Sequence, residues 1–247
     1  MAFKVVIPAR YASTRLQGKP LLDIAGKPMV VRVAEQAAKS GASEIVIATD
    51  FEKIMQVAAE HNIKAVMTRI DHQSGTDRIA EVAQQLGWAD DEIVVNVQGD
   101  EPLIDPKLIQ EVAAHLANSK DAVMATACHA IHDEASLLNP NIVKVVIDAH
   151  GNALYFSRAP IPYPRDDTYK NNIQAHRHIG IYAYRVGFLK QYAQLAVTEL
   201  EKIESLEQLR VLHHGYKIGL TITQNAPASG VDTQEDLDFV RSVWKDN

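Results

Sequence analysis

The sequence lacks several features that would assign it to common classes of protein. Its 247 residues include a single cysteine, Cys128, so no disulfide can form within the chain, and we expect a cytosolic protein. No apolar run approaches the roughly 18 residues that cross a bilayer, and no signal-peptide pattern is present. These absences predict a protein that is neither exported nor inserted in a membrane. Cys128 lies in an apolar run, which indicates a buried core thiol rather than a nucleophile.

Two common nucleotide-binding motifs are also absent. The chain contains neither G-x-G-x-x-G nor G-x-x-x-x-G-K-[ST]. The formal net charge is -6 and there is no basic run, which argues against duplex nucleic acid as a partner. Hydrophobic residues make up 47% and charged residues 23%, as in ordinary globular proteins. A local group of basic residues in such an acidic chain indicates a small anionic ligand.

Short apolar segments alternate with amphipathic segments through the first half of the chain. Strands are predicted at residues 3–7, 44–49, 63–68 and 93–97. Helices are predicted at residues 27–40, at 51–61, after residue 78, and from Pro106, which Asp105 caps. This alternation predicts an α/β fold with a mostly parallel, Rossmann-like sheet flanked by helices. Ligands of such sheets bind outside the C-terminal ends of the strands.

The second half of the chain has a different pattern. An antiparallel hairpin is predicted at residues 142–147 and 153–156, followed by a proline-punctuated loop to about residue 172. Further strands are predicted at 178–184 and 217–223, and helices at 188–195, 205–212 and 233–244. We therefore expect one domain, with a nucleotide-binding core of about 1–130 and 205–247. A smaller antiparallel subdomain or dimer arm would span about 140–200.

A basic loop directly follows the first predicted strand. It contains Arg10, Arg15 and Lys19, together with Ser13 and Gly18. Taken singly, each cation is compatible with an ordinary solvated surface position. Cations, hydroxyls and free N–H groups grouped at the end of a strand can instead surround several phosphate oxygens. The grouping favours a phosphate site.

A second polar loop, residues 72–78, follows the third predicted strand. Its Ser74, Gly75 and Arg78 offer donors that could bind the edge of a nucleotide base. Ser74 or Thr76 could equally cap the helix that follows, and the two interpretations are compatible.

Two aspartates are candidates for a metal site. Asp100 follows the buried segment V-V-N-V-Q-G, and Asp232 precedes the terminal helix. Magnesium bound with nucleotide phosphates needs only one or two protein carboxylates. Asp100 is also compatible with a simple turn residue. Asp232 could belong to the helix start, although Thr233 and Asp236 already form a capping box.

The segment R-Y-A-S-T-R-L-Q-G-K-P-L, residues 10–21, resembles the signature loop of the sugar-activating cytidylyltransferases. It is most similar to the 3-deoxy-manno-octulosonate (Kdo) cytidylyltransferase family. The later segments Y-F-S-R, R-H-I-G-I-Y and L-E-Q-L-R extend the resemblance over nearly the whole chain. Gln17 stands where the family usually has proline, a departure that removes no phosphate ligand.

The resemblance implies transfer of CMP from CTP to the anomeric hydroxyl of 3-deoxy-manno-octulosonate, with release of pyrophosphate. It further implies Mg²⁺, a cytoplasmic homodimer and a product used in lipopolysaccharide biosynthesis. The implied CTP contacts are Pro8, Ala9, Arg10, Ser13, Arg15, Lys19, Ser74, Gly75 and Arg78. The implied catalytic residues are Arg10, Lys19, Asp100 and Asp232, of which the two aspartates would hold the metal.

The candidate pocket for the sugar acid contains arginines, amides and acids, which suit a ligand with a carboxylate and many hydroxyls. Its residues, supported by the resemblance, are Gln98, Arg158, Arg165, His178, Tyr182, Glu207 and Gln208. Tyr182 is also compatible with a core position. Gln208 is also compatible with a capping box begun by Ser205.

Other functions remain open from the sequence. The same chemistry could act on the 8-amino analogue of the sugar or on a nonulosonate such as sialic acid, although H-Q-S-G-T and L-E-Q-L-R resemble the octulosonate branch. A nucleotide-sensing module would bind CTP without turnover and would not need Asp100 or Asp232. An NAD(P) oxidoreductase would require the glycine fingerprint that the chain lacks.

Overall fold

A computed structural model of the chain describes residues 2–11, 16–72, 74–166, 174–224, 227, 228 and 230–245. The strands are β1 Lys4–Ala9, β2 Asp23–Ile24, β3 Lys27–Pro28, β4 Glu44–Thr49, β5 Lys64–Met67, β6 Ile93–Asn96, β7 Ala122–Ile131, β8 Lys144–Ile147, β9 Ala153–Ser157, β10 Ala175–Arg185 and β11 Lys217–Ile222. The helices are α1 Met29–Ala38, α2 Glu52–Glu60, α3 Gly75–Gln85, α4 Pro106–Asn118, α5 Glu134–Leu138, α6 Val186–Tyr192, α7 Glu199–Glu204, α8 Gln208–His213 and α9 Gln234–Lys245.

Most of the described strands form one mixed sheet in the order β11-β7-β10-β6-β1-β4-β5, with β8 and β9 attached to β10. Strand β1 lies between β4 and β6 and is parallel to both, and β5 is parallel to β4. Val5, Val6 and Ile7 are all 0% exposed, with Val6 in one core cluster and its two neighbours in another. Both faces of the sheet are therefore covered, which explains why β1 is a continuous apolar run.

The predicted α/β fold class is confirmed, and β10 adds a feature that the sequence pattern does not indicate. This strand runs antiparallel between β6 and β7, in the middle of the sheet. Its first residues also pair with β8, which forms a hairpin with β9. The segment predicted as a subdomain of about 140–200 thus contributes a long central strand to the main sheet. Its role in dimerisation stays a prediction.

The helix predicted over residues 205–212 is present but begins later than predicted, since α8 spans Gln208–His213. Ser205 precedes it in a left-handed conformation (φ 51, ψ 51) that ends α7, a helix that the sequence pattern did not predict. Ser205 therefore does not cap α8, and its interpretation as the start of a capping box with Gln208 is wrong. A capping box formed by Thr198 and Glu201 begins α7 instead.

The first helix also begins later than predicted. Residues 27 and 28 belong to the hairpin of β2 and β3, and α1 begins at Met29. The turn of this hairpin contains Ala25 (φ 50) and Gly26 (φ 83), a left-handed pair that the helical periodicity does not reveal. Cys128 is 0% exposed, as expected of a core thiol, and burial raises its pKa to about 12. Among the described helices, none has the length and apolar character needed to cross a bilayer.

Candidate active site

The polar loops that follow β1, β5 and β6 meet at one edge of the sheet. An Arg10 guanidinium nitrogen donates to the main-chain oxygen of His72 at 3.0 Å, which joins the first loop to the second. Gly99 lies so close to the end of β1 that a Cβ atom there would be 2.6 Å from the Pro8 carbonyl oxygen. Glycine is therefore required for the third loop to approach the first.

Lys19 connects the basic loop to both predicted metal aspartates. Its Nζ donates to Asp100 Oδ2 at 2.6 Å and to Asp232 Oδ1 at 3.0 Å. The lysine side chain is 11% exposed, whereas those of Asp100 and Asp232 are 35% and 46% exposed. Gly18, with φ 67, precedes the short 3-10 turn that carries Lys19. Three residues far apart in the sequence thus form one charged cluster that is open to a ligand on the aspartate side.

The chemistry of this cluster fits a divalent cation. Asp100 and Asp232 already share one cationic group, the Lys19 ammonium, so both carboxylates can face a common positive charge. The main-chain N–H of Val231 donates to the Asp100 carbonyl oxygen at 2.8 Å and holds the two aspartate loops together. In the described part of the chain, no group of three or more His, Cys, Asp or Glu residues could hold a metal. The remaining ligands would be phosphate oxygens and water, as is usual for Mg²⁺ bound with a nucleotide.

Ser74 and Gly75 lie at the N-terminus of α3, facing the same region. The Ser74 hydroxyl accepts from the Asp77 main-chain N–H at 3.1 Å, which confirms the predicted helix cap. The N-terminus of a helix carries unpaired N–H groups and a partial positive charge, so it favours an anionic or acceptor-rich ligand.

A cavity of about 310 Å³ opens beside these loops. It contains four predicted sugar-binding residues, which are Gln98, Tyr182, Glu207 and Gln208. The other lining residues are Gly75, Thr76, Asn96, Met124, Tyr184, Tyr192, Ser205, Leu206 and Val211. Gln98 lies two residues before Asp100, so the cavity and the charged cluster share the loop after β6. The cavity lining combines amide, phenol and carboxyl groups with apolar side chains, which suits a sugar with both hydroxyl groups and C–H faces.

Comparison with known protein families matches residues 4–218 to the cytidylyltransferases. The chain belongs to this family. A solved structure of CMP:2-keto-3-deoxy-manno-octonic acid synthetase complexed with CTP is 44% identical, with a TM-score of 0.91. That match covers 99% of this chain and 98% of the other chain.

A structure of a cytidylyltransferase from Leptospira borgpetersenii serovar Hardjo-bovis (strain JB197) is 16% identical, with a TM-score of 0.64. The match covers 100% of this chain and 87% of the other. At this identity the similarity shows a shared fold and nothing further.

In this cytidylyltransferase, Arg78 is not placed to contact a ligand. Its side chain is 0% exposed, and it donates to Asp50 Oδ2 at 2.7 Å and to the Thr68 hydroxyl. The prediction that Arg78 binds the nucleotide is corrected on this point. The guanidinium instead joins α3 to the ends of β4 and β5, which fixes the position of Ser74 and Gly75.

The predicted sugar-binding arginines lie outside the cavity lining. The Arg158 side chain donates to the main-chain oxygens of Glu204 (2.7 Å) and Pro140 (3.0 Å), so it ties the end of β9 to α7. Arg165 is exposed in the proline-punctuated loop. His178 lies next to the cavity, with its ring 5.4 Å from the ring of Tyr182 and its Nε2 3.0 Å from the Thr126 hydroxyl. Burial lowers the pKa of His178 to about 3, so the imidazole is neutral at physiological pH.

Glu207, which lines the cavity, interacts electrostatically with Arg10 of the basic loop. Glu207 is an exposed residue, and its pKa is raised chiefly because the surrounding protein partly desolvates the carboxyl group, while the charge of Arg210 opposes this shift. Asp77 and Glu201 raise the pKa further, and Arg10 lowers it. The Arg10 charge therefore acts on the sugar pocket as well as on the phosphate loop.

The structure describes some of the remaining predicted site residues and adds others that were not predicted. Pro8 and Ala9 form the last part of β1, directly before the basic loop. Ser13 and Arg15 lie outside the described residues. Sequence reasoning missed Asn96, Tyr184 and Tyr192 as cavity residues. Asn96 had a signal, because it is a polar residue inside an otherwise apolar buried strand.

Proposed function

We propose that this cytidylyltransferase transfers CMP from CTP to the anomeric hydroxyl of 3-deoxy-manno-octulosonate and releases pyrophosphate. The observation that carries the proposal is the contact of Lys19 with Asp100 and Asp232 beside a polar cavity. The 44% identity to a CMP:2-keto-3-deoxy-manno-octonic acid synthetase, over nearly the full length of both chains, supports this choice of acceptor.

The charged cluster would receive the triphosphate. Arg10 and Lys19 would offset the negative charge on the phosphates, which grows on the leaving pyrophosphate during transfer. Asp100 and Asp232 would hold Mg²⁺. When bound there, the metal would supply a positive charge for the phosphates and lower the pKa of the attacking hydroxyl. Pro8, Ala9, Ser13, Arg15, Ser74 and Gly75 are the further residues that we assign to CTP.

The cavity would hold the acceptor. Gln98, Tyr182, Glu207 and Gln208 offer amide, phenol and carboxyl groups to the hydroxyls of a sugar acid. A hydroxyl is a weak nucleophile, so holding the anomeric oxygen in line with the α-phosphorus would supply much of the rate enhancement. Arg165 and His178 stay candidates for acceptor contacts, and Arg158 would act by positioning α7.

We further propose that the enzyme is a cytoplasmic homodimer whose product serves lipopolysaccharide assembly. The region around α5 and the β8–β9 hairpin exposes apolar side chains that a second copy could cover. Leu138 is 56% exposed and Leu154 is 61% exposed. Sedimentation of the wild-type protein beside Leu154→Glu tests this surface, and a monomeric wild type would contradict it.

Pyrophosphate release tests the proposed reaction. The protein is incubated with CTP and Mg²⁺, with and without the octulosonate acid, beside parallel samples containing ATP, GTP or UTP. We expect release only with CTP and only with the acceptor. The 8-amino analogue and sialic acid are run as alternative acceptors. Binding of CTP without release with any acceptor would favour a nucleotide-sensing module.

A further inference from the structure

Three residues that line the cavity each have a buried polar atom for which the described part of the chain provides no hydrogen-bond partner. The atoms are Asn96 Oδ1, the Tyr192 hydroxyl and Gln208 Nε2. The three residues are 4%, 2% and 5% exposed. Buried polar atoms in folded proteins are nearly always paired with protein or with ordered water, so three such atoms in residues that line one cavity mark places where polar groups of a ligand can bind. Gln208 was already predicted to bind the sugar acid, whereas Asn96 and Tyr192 were not.

The surrounding residues hold Asn96 in one orientation. It is the last residue of β6, and in the sheet it lies opposite Val6 on one side and Tyr182 on the other. Its side chain lies close to the Tyr184 hydroxyl, which lies 3.3 Å from the Thr76 hydroxyl. A Cβ atom on Gly75 would be 3.9 Å from Asn96 Nδ2. The Nδ2 side of the amide thus faces protein, and Oδ1 is left as an acceptor.

The Tyr192 hydroxyl is fixed by the position of its ring. The Arg210 guanidinium lies 4.7 Å from the ring centroid of Tyr192. Arg210 is itself held by Glu201, to which its Nε donates at 2.8 Å. A hydroxyl can both donate and accept, so Tyr192 can pair with a hydroxyl of a ligand in either sense.

The unpaired atoms also restrict the chemistry of the occupant. Asn96 Oδ1 can be satisfied only by a donor, and Gln208 Nε2 only by an acceptor. A phosphate or a simple carboxylate has acceptors alone and would leave Oδ1 unpaired. A sugar hydroxyl supplies both functions.

We propose that Asn96 and Tyr192 are specificity-determining residues that bind hydroxyls of the acceptor, with Tyr184 and Thr76 as positioning residues for Asn96. This inference rests on the proposed function. It adds that the acceptor must carry a hydroxyl group that donates a hydrogen bond to Asn96 Oδ1. An acceptor that lacks this hydroxyl is discriminated against because Oδ1 is then left buried and unpaired.

Asn96→Leu and Tyr192→Phe test the proposal by steady-state kinetics. We expect the KM for the sugar acid to rise about 10- to 100-fold in each variant, because one buried hydrogen bond is lost. The KM for CTP should stay within about twofold of the wild type. Tyr184→Phe should raise the KM for the acceptor less than Asn96→Leu does. Deoxy analogues of the acceptor identify the hydroxyl. Removing the hydroxyl that Asn96 binds should weaken acceptor binding by the wild type but not by Asn96→Leu.

Thr221→Val is the matched control. Thr221 Oγ1 is also buried and unpartnered, but Thr221 does not line the cavity. This nearly isosteric change should leave the KM for both substrates unchanged. Because Tyr192→Phe removes a single oxygen atom and keeps the ring, it gives a result even if Asn96→Leu does not fold.

The outcomes separate this inference from the proposed reaction. Calorimetric titration of the sugar acid into the enzyme gives a readout that does not depend on turnover. If the wild type converts the substrates but neither substitution weakens binding of the acceptor, the inference is overturned and the proposed function stands. If the wild type neither turns over nor binds the sugar acid, both fail. An equal rise in the KM for CTP and for the acceptor would indicate a structural role and would also overturn the inference.

Discussion

Lys19 shows how a single side chain can serve two partners in turn. In the structure its ammonium group balances two carboxylates, Asp100 and Asp232, which would repel each other without a cation. A triphosphate offers the same ammonium a larger negative charge. If Lys19 turns towards the phosphates, a metal ion can replace its charge between the two carboxylates, so binding of nucleotide and of metal should support each other.

Lys19→Ala should lower kcat about 100-fold or more, because a cation that offsets charge on the phosphates is lost. The protein should remain folded, as monitored by circular dichroism. The exposed Lys107, which pairs with Glu111 at 3.6 Å on the surface of α4, gives the control variant Lys107→Ala. Unchanged turnover in Lys19→Ala would remove the basis for the phosphate site.

Asp100→Asn should raise the Mg²⁺ concentration needed for half-maximal activity about tenfold or more, since one of two protein ligands for the metal is lost. The measurement is a magnesium titration at fixed CTP, accompanied by Mn²⁺ binding followed by electron paramagnetic resonance. Asp105→Asn is the control, because Asp105 caps α4 and asparagine caps a helix equally well. A metal titration in Asp100→Asn that matches the wild type would place the metal elsewhere.

His178 should make the protein less stable in mild acid. Its pKa is about 3 in the folded protein, against an ordinary value of 6.5 that applies in the unfolded chain. Between these values the unfolded chain binds a proton that the folded protein does not, so the free energy of unfolding falls as the pH drops below 6.5. The contribution of this group is at most about 1.4 kcal/mol per pH unit.

Chemical denaturation at pH 7.0, 6.0, 5.0 and 4.5 measures the effect. The difference in unfolding free energy between the wild type and His178→Gln should shift in favour of the variant as the pH falls. The exposed His150 provides the control substitution His150→Gln. A difference that does not change with pH would contradict the assignment of a neutral, partly buried imidazole.

At the residue scale, the sequence predicted the Lys19 and Asp100 parts of the charged cluster because both follow strand ends, and parallel strand ends meet at one edge. Asp232 precedes the terminal helix and was predicted mainly from the family resemblance. It could not predict the burial of Arg78. That burial depends on Asp50 and Thr68, which reach Arg78 only through the packing of α3 against the sheet. Asn96 was overlooked for a similar reason, since its free oxygen is evident only once Tyr184 occupies the other side of the amide.

At the element scale, α3 depends on the Arg78–Asp50 pair. A buried pair that loses one partner leaves an uncompensated charge, so Arg78→Ala should lower the free energy of unfolding by about 3–5 kcal/mol. The exposed Arg69–Asp71 pair is the comparison, and Arg69→Ala should cost less than about 1 kcal/mol. Urea denaturation measures both variants. Loss of CTP affinity in Arg78→Ala with unchanged stability would restore Arg78 as a ligand contact.

Element boundaries were predictable where a local signal exists. Asp105 and Ser74 begin their helices as their side chains indicate, because a cap is made between near neighbours. The break between α7 and α8 has no such signal. Serine is not a typical left-handed residue, so nothing in the local sequence predicts the left-handed conformation with which Ser205 ends α7.

At the scale of the whole molecule, the alternating pattern predicted the parallel half of the sheet because each of those strands is followed by its own helix. The central position of β10 could not be predicted in this way. Residues of β10 pair with residues 44 to 60 positions earlier in β7 and 86 to 92 positions earlier in β6, and only this long-range pairing determines where β10 inserts.

The insertion of β10 has a consequence for the growing polypeptide on the ribosome. Until residues 175–185 emerge, β6 and β7 cannot acquire the strand that separates them, so β6 has one unpaired edge. Strand β7 has two unpaired edges, because its other neighbour, β11, is synthesised later still. More than two thirds of the chain is synthesised before β6 and β7 can be joined. During that interval the nascent chain exposes unpaired strand edges that can pair with other chains. The yield of folded protein in the cell should therefore depend on chaperones more strongly than the stability of the folded protein would indicate.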